Sequence, residues 1–226
     1  MARGARGAKK GRVRRRKGEL PAEVADELGR AVGAGRAGKV HERLREAAKA
    51  YEAERWRDAR RLLAPLAEQA PSSASVRELH GLSLYRMGRW REAIRELEAF
   101  EMLSGSVDQH PVMADCHRAL GHVARVRELW DELRRGGAAI EVLTEGRIVT
   151  AATIADAGDI PSAINLLQEG PIGVRNPQEH HLRLWYALAS LYERAGDVPR
   201  ARELFRRICL ADVSFADAAD RHDALV

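Results

Sequence analysis

The chain has 226 residues, of which 45% are hydrophobic and only 5% aromatic, and 38 Lys/Arg outnumber 33 Asp/Glu for a net charge of +5. An ordered core is within reach, while no run approaches the roughly 20 apolar residues that cross a bilayer, and a basic N-terminus with no apolar stretch after it is not a secretory leader. The two cysteines, Cys116 and Cys209, are far apart, which argues against a disulfide framework and for a cytoplasmic protein with structural thiols.

The charge is unevenly placed. Residues 1–18 read MARGARGAKKGRVRRRKG and hold nine cations and no acid: Arg3, Arg6, Lys9, Lys10, Arg12, Arg14, Arg15, Arg16 and Lys17. With almost no apolar surface to bury, this tail is expected to be disordered, and its charge favours phosphate without reading sequence. The rest of the chain holds 29 basic and 33 acidic residues, so the body is mildly acidic. Next, LPAEVADELGRAV predicts a short helix, with Leu20, Val24, Leu28 and Val32 recurring every four residues and Pro21 in the first turn. The stretch GAGRAGK (33–39) follows, with the glycine and lysine spacing of a nucleotide-binding loop. Position 40 is Val rather than a Mg²⁺-binding hydroxyl, and a helix rather than a strand precedes it. The stretch is therefore read as a flexible connector, giving a segment of short helix and Gly-rich connector over 19–38.

From residue 39 the chain repeats. YEAERWRDARRLL aligns with YRMGRWREAIREL: Tyr51 with Tyr85, Trp56 with Trp90, Ala59 with Ala93 and Leu63 with Leu97, every offset being 34. Three further units follow, marked by Gly121 with Val126 and Trp130, by Gly158 with Ala163 and Leu167, and by WYALASLYERAGDVPRARELF. A 34-residue period of helix–turn–helix units is the pattern of tetratricopeptide repeats (TPR). The last unit places Trp185, Leu188, Ala189, Tyr192, Gly196, Ala201 and Phe205 on that pattern. Over residues 39–212 the chain thus resembles TPR proteins, and its Arg- and Ala-rich wording is similar to uncharacterised TPR proteins of high-GC bacteria. The spacing of turn glycines grows from 33 (Gly88 to Gly121) to 37 and 38, so insertions are expected between units, around RRGGAAIEVLTEG (134–146) and EGPIGVRNPQ (169–178). The fold expected is an all-α TPR-like solenoid of about five helix–turn–helix units, closed by a capping helix over 213–226 with Phe215 and Ala219 inward.

Chemical sites are sparse. Cys116 and His117 are adjacent and point about 100° apart on a helix, and His122 is six residues beyond Cys116, so they make poor joint metal ligands. His180 and His181 read as solvated imidazoles, and Trp56, Trp90 and Trp130 as core. Ser104, Ser106 and Ser190 have no evident His partner. No catalytic residue, metal ligand, cofactor or small-molecule substrate is expected, and no membrane contact. The TPR resemblance implies a groove lined by the first helix of each pair and holding a partner segment. Mapped onto this chain, that implies Glu78, Tyr85 and Arg86, then Asp115 and Arg118, then Ile148 and Asp156, then Tyr186, Glu193 and Arg194. The Lys/Asn carboxylate-clamp pattern known in the family is not evident. The expected function is a non-enzymatic scaffold or adaptor for a protein or peptide partner; the competing expectation is an RNA- or ribosome-associated factor anchored through the tail.

Overall fold

The computed structural model describes residues 20–225. Among them are twelve α-helices and no strand: α1 (Ala22–Val32), α2 (Ala34–Glu52), α3 (Trp56–Gln69), α4 (Ala74–Arg86), α5 (Trp90–Ser104), α6 (His110–Ala119), α7 (Val123–Arg135), α8 (Ile140–Asp156), α9 (Ile160–Gln168), α10 (Glu179–Arg194), α11 (Val198–Ala211) and α12 (Ala218–Ala224). From α2 to α11 they form five consecutive antiparallel pairs, each stacked on the next. The core is accordingly a row of local clusters, each shared by neighbouring pairs. That is the expected economy of a solenoid, where one hairpin cannot bury its apolar stripe alone.

Local chemistry sets the hairpins. The first helix of four pairs ends at a glycine with positive φ (Gly88 71°, Gly121 76°, Gly158 92°, Gly196 78°). In the first pair Glu54 takes that place at φ 57°, a conformation L side chains adopt at a cost of about 1–3 kcal/mol. Ser73, Asp159 and Asp197 cap α4, α9 and α11 by accepting from the backbone N–H of Val76, Ser162 and Arg200. Close approach within a pair needs small residues. A Cβ added to Gly81 would lie 2.6 Å from Leu97, and Ala93, Ala163 and Ala201 are fully buried at pair interfaces.

Three expectations are corrected. Residues 34–39 are not a connector: Gly33 alone breaks the chain, at φ 79° and ψ 151°, and Ala34–Lys39 form the first turns of α2. Gly35 and Gly38 each weaken a helix by about 0.8–1 kcal/mol relative to Ala. The packing of Val24, Leu28 and Val32 in one cluster with Val40 and Leu44 offsets that loss. Second, residues 140–146 are not an insertion but the first two turns of α8. Gly146 is a packing contact there, since a Cβ would meet Leu133 at 2.5 Å and the Trp130 ring at 3.3 Å. Third, the terminal helix is seven residues long, and Ala218 rather than Ala219 is its buried residue, with Phe215 packed ahead of it. Trp130 is buried as expected, but Trp56 and Trp90 are half-buried, Trp56 packed edge-on against Tyr51 and Trp90 tilted against Tyr85, with ring centroids 4.8 and 5.6 Å apart.

Candidate functional site

The first helices α4, α6, α8 and α10 enclose a trough of about 780 Å³. Its floor is apolar: Pro111 and Val112 from α6, and Val142, Ile148, Val149 and Ala152 from α8. Tyr85 stands at one wall and donates to Asp115 Oδ2 at 2.7 Å; burial, with the Asp115 charge beside it, raises the phenol pKa. Asp115 also accepts from Arg118 Nε at 2.9 Å, and Arg118 Nη1 reaches Asp156 Oδ2 at 2.7 Å, joining α6 to the end of α8. Arg183 of α10 grips Glu145 of α8 with two bonds of 2.5 and 2.7 Å. These bidentate and bridging contacts fix the helices that frame the trough.

Of the trough's charges without an ion-pair partner, three are acidic and one, Arg86, is basic. Asp108, Glu141 and Glu179 line the trough and make no ion pair with any described residue. Arg118 and Arg183, by contrast, are already paired, and Arg86 lies over the Trp56 ring at 5.3 Å. Just beyond the trough, Glu78 accepts from Gln109 Nε2 at 2.7 Å. Burial pushes its carboxyl pKa up against that hydrogen bond, and the Asp108 and Glu27 charges push the same way. Nothing in this arrangement resembles a nucleophile with its base. Cys116 is fully buried, and burial next to Asp115 pushes its thiol up to about 12, far from a reactive thiolate.

Of the residues the sequence assigns to the groove, Tyr85, Arg86, Asp115, Arg118 and Ile148 line the trough together. Asp156 joins through Arg118, and Glu78 sits behind Gln109. Arg194 donates to the Ala155 carbonyl at 3.2 Å and locks α10 to α8. Tyr186 and Glu193 face the chain's own α12: Tyr186 donates to Asp217 at 2.5 Å and Glu193 pairs with Arg221. The nine cations of the tail lie outside the described residues. Sequence reasoning missed Asp108, Glu141, Glu145, Glu179 and Arg183. It places the first half of α8 in an insertion, although Glu141, Glu145, Ile148 and Ala152 keep the spacing of one helix face. His180, expected in solvent, is buried at the trough wall, because the chain enters α10 at Glu179; His181 Nδ1 instead accepts from the Gln178 N–H at 2.9 Å. His117, near the end of α6, and His122, at the start of α7, do meet, at 3.1 Å between Nδ1 atoms.

Paired helices, positive-φ turns and a trough on the first helices define a TPR-type solenoid, and solved structures agree. The chain superposes on one chain of the Cut9–Hcn1 hetero-tetramer of the APC/C with a TM-score of 0.66 at 13% identity, over 89% of its own residues. It spans 39% of the length of that chain. A thermophilic TPR protein of Thermus thermophilus gives 0.65 at 14% identity, covering 82% of this chain and 98% of the other. The TPR-like repeats of a putative kinesin light chain of Podosopora anserina give 0.58 at 18%, covering 76% and 94%. No family model matches the sequence, and no curated protein matches it. No described helix is long and apolar enough to cross a membrane.

Proposed function

We propose that this protein is a non-enzymatic scaffold whose trough holds an extended segment of a partner protein, and that the segment carries Lys or Arg. The carrying observation is the imbalance of uncommitted charge: Asp108, Glu141 and Glu179 face the trough without ion-pair partners, while Arg118 and Arg183 are taken. A cationic side chain brought beside them gains Coulombic attraction, and alternate apolar side chains meet Val112, Ile148 and Val149 on the floor. The walls are tied by inter-helix hydrogen bonds, so little ordering is needed on binding. The likeness to TPR solenoids supports a protein-binding surface and carries no partner identity.

The test is selection of peptides from a random library against the full chain and against the charge-reversed double variant Glu141→Lys/Glu179→Lys. Peptides enriched in Lys and Arg are expected, with affinity at least tenfold weaker for the variant and falling steeply with salt. Selection of acidic peptides, or equal binding to both proteins, would overturn the reading.

A further inference from the structure

Outside the trough, three side chains from three successive helices converge at the start of α6. Glu101 belongs to the last turn of α5, His110 is the first residue of α6, and Glu132 lies near the end of α7. One donor atom from each lies within 4.8 Å of the other two. His110 is only 1% exposed. Its Nε2 is 3.1 Å from Glu101 Oε1 and its Nδ1 is 3.6 Å from Glu132 Oε2, yet neither nitrogen has a hydrogen bond. Buried polar atoms are nearly always satisfied, and a ring with both nitrogens orphaned between two carboxylates needs a physical reason.

We propose that Glu101, His110 and Glu132 form a binding site for a zinc-like divalent cation, with water completing the coordination. The donor set suits such an ion: one imidazole nitrogen and two carboxylate oxygens, whose two negative charges balance the dication. A tetrahedral site with bonds of about 2.0–2.2 Å places ligand atoms roughly 3.4 Å apart. The imidazole offers one nitrogen to the ion: with Nε2 as the ligand, Glu101 Oε1 at 3.1 Å is already at that scale, and Glu132, whose Oε2 lies by the other nitrogen, closes the 4.8 Å spread by swinging in by roughly 1.4 Å. Both glutamate side chains are about a third exposed, which gives them room to move and gives the ion a way in. The far oxygen of Glu132 is held by Arg125 Nη1 at 3.2 Å, leaving Oε2 turned toward the imidazole. A bound ion ties the second helix of one pair to both helices of the next. Pro111 and Val112, the residues after His110, line the trough, so the ion stiffens its floor.

The experiment is a titration of metal-stripped full-length protein with Co²⁺ as the spectroscopic probe, followed by displacement with Zn²⁺. One equivalent of Co²⁺ is expected, with the visible absorption of a tetrahedral site that Zn²⁺ removes. Glu101→Gln and Glu132→Gln, checked for unchanged helical circular dichroism, should each bind at least tenfold more weakly. Zn²⁺ should raise the Tm of the unaltered protein and of His117→Asn, but not of the two glutamine variants. The proposal fails if no stoichiometric Co²⁺ binds or if both glutamine variants bind as well as the parent. It fails equally if His117→Asn removes the binding, which would place the ion on the exposed His117–His122 pair.

Discussion

The two ends of the solenoid are closed by helices that work on different physics. At the N-terminal end α1 lays an apolar stripe on the first pair: Val24, Leu28 and Val32 are buried in the cluster that holds Val40 and Leu44. Three hydrogen bonds to one carboxylate register it, Glu27 accepting from the hydroxyls of Ser73 and Ser75 at 2.5 and 2.6 Å and from the Ser75 N–H at 3.0 Å. At the C-terminal end α12 buries only Ala218; Asp217 at its start accepts from Tyr186, and one cation, Arg221, adds further contacts. The Arg221 guanidinium sits 4.5 Å from the Phe205 ring centroid and 5.2 Å from that of Tyr186. The same group pairs with Glu193 and donates to Ser190 Oγ at 2.8 Å. An end can thus be sealed by area removed from water, which salt and pH barely touch, or by charge laid on aromatic faces, which both can loosen.

That contrast can be broken by experiment. The largest effect is expected from Leu28→Ala, since Leu28 is fully buried: a loss of about 2–5 kcal/mol in urea unfolding, the same at low and high salt. A strong salt dependence of that loss would mean that the Glu27 contacts, and not the apolar stripe, hold α1. Arg221→Ala comes next, at about 1–2 kcal/mol, read as faster amide exchange in α12, with the gap to the parent narrowing in molar salt. Unchanged exchange in α12 would show that Phe215 and Ala218 suffice. The smallest effect concerns alkaline pH. Burial, and then the Asp217 carboxylate, raise the Tyr186 phenol pKa above its ordinary value. A raised folded-state pKa means stability that is present below the unfolded value near 10 and lost as pH climbs through the folded one. Protection of α12 should therefore fade above about pH 10 while α1 is unaffected, and Tyr186→Phe should remove that step.

The same opposition explains which parts of the molecule could be read in advance. The first, second and fifth pairs were legible because large residues recur at fixed offsets: Tyr51 and Tyr85, Trp56 and Trp90, then Trp185 through Phe205. The start of α8 was not, because Ile140–Gly146 is rich in β-branched residues and ends in glycine, which reads locally as a break. Only contact with Leu133 and Trp130 makes glycine the residue that fits there. Residues 34–39 misled for the same reason, since their helicity rests on α1 lying across the cluster. In the trough, Tyr85, Asp115, Arg118 and Ile148 followed from the repeat register. Glu141 and Glu145 did not, because Ile140–Gly146 reads as an insertion, and Arg183 did not, because the recognisable pattern of the fifth pair begins only at Trp185.

The order of residues alone determined the architecture: an apolar pattern at helical spacing, repeated with glycine at each tight turn, leaves stacked hairpins as the means of burial. Tertiary structure alone decided which charges are free. Arg118, Arg183 and Arg221 look alike in sequence, and each is consumed by a carboxylate 28–38 residues away. Glu193 is likewise taken, while Glu141 and Glu179 are left open to the trough. Pairing depends on distances of a few ångströms between helices, and local periodicity carries no such distances.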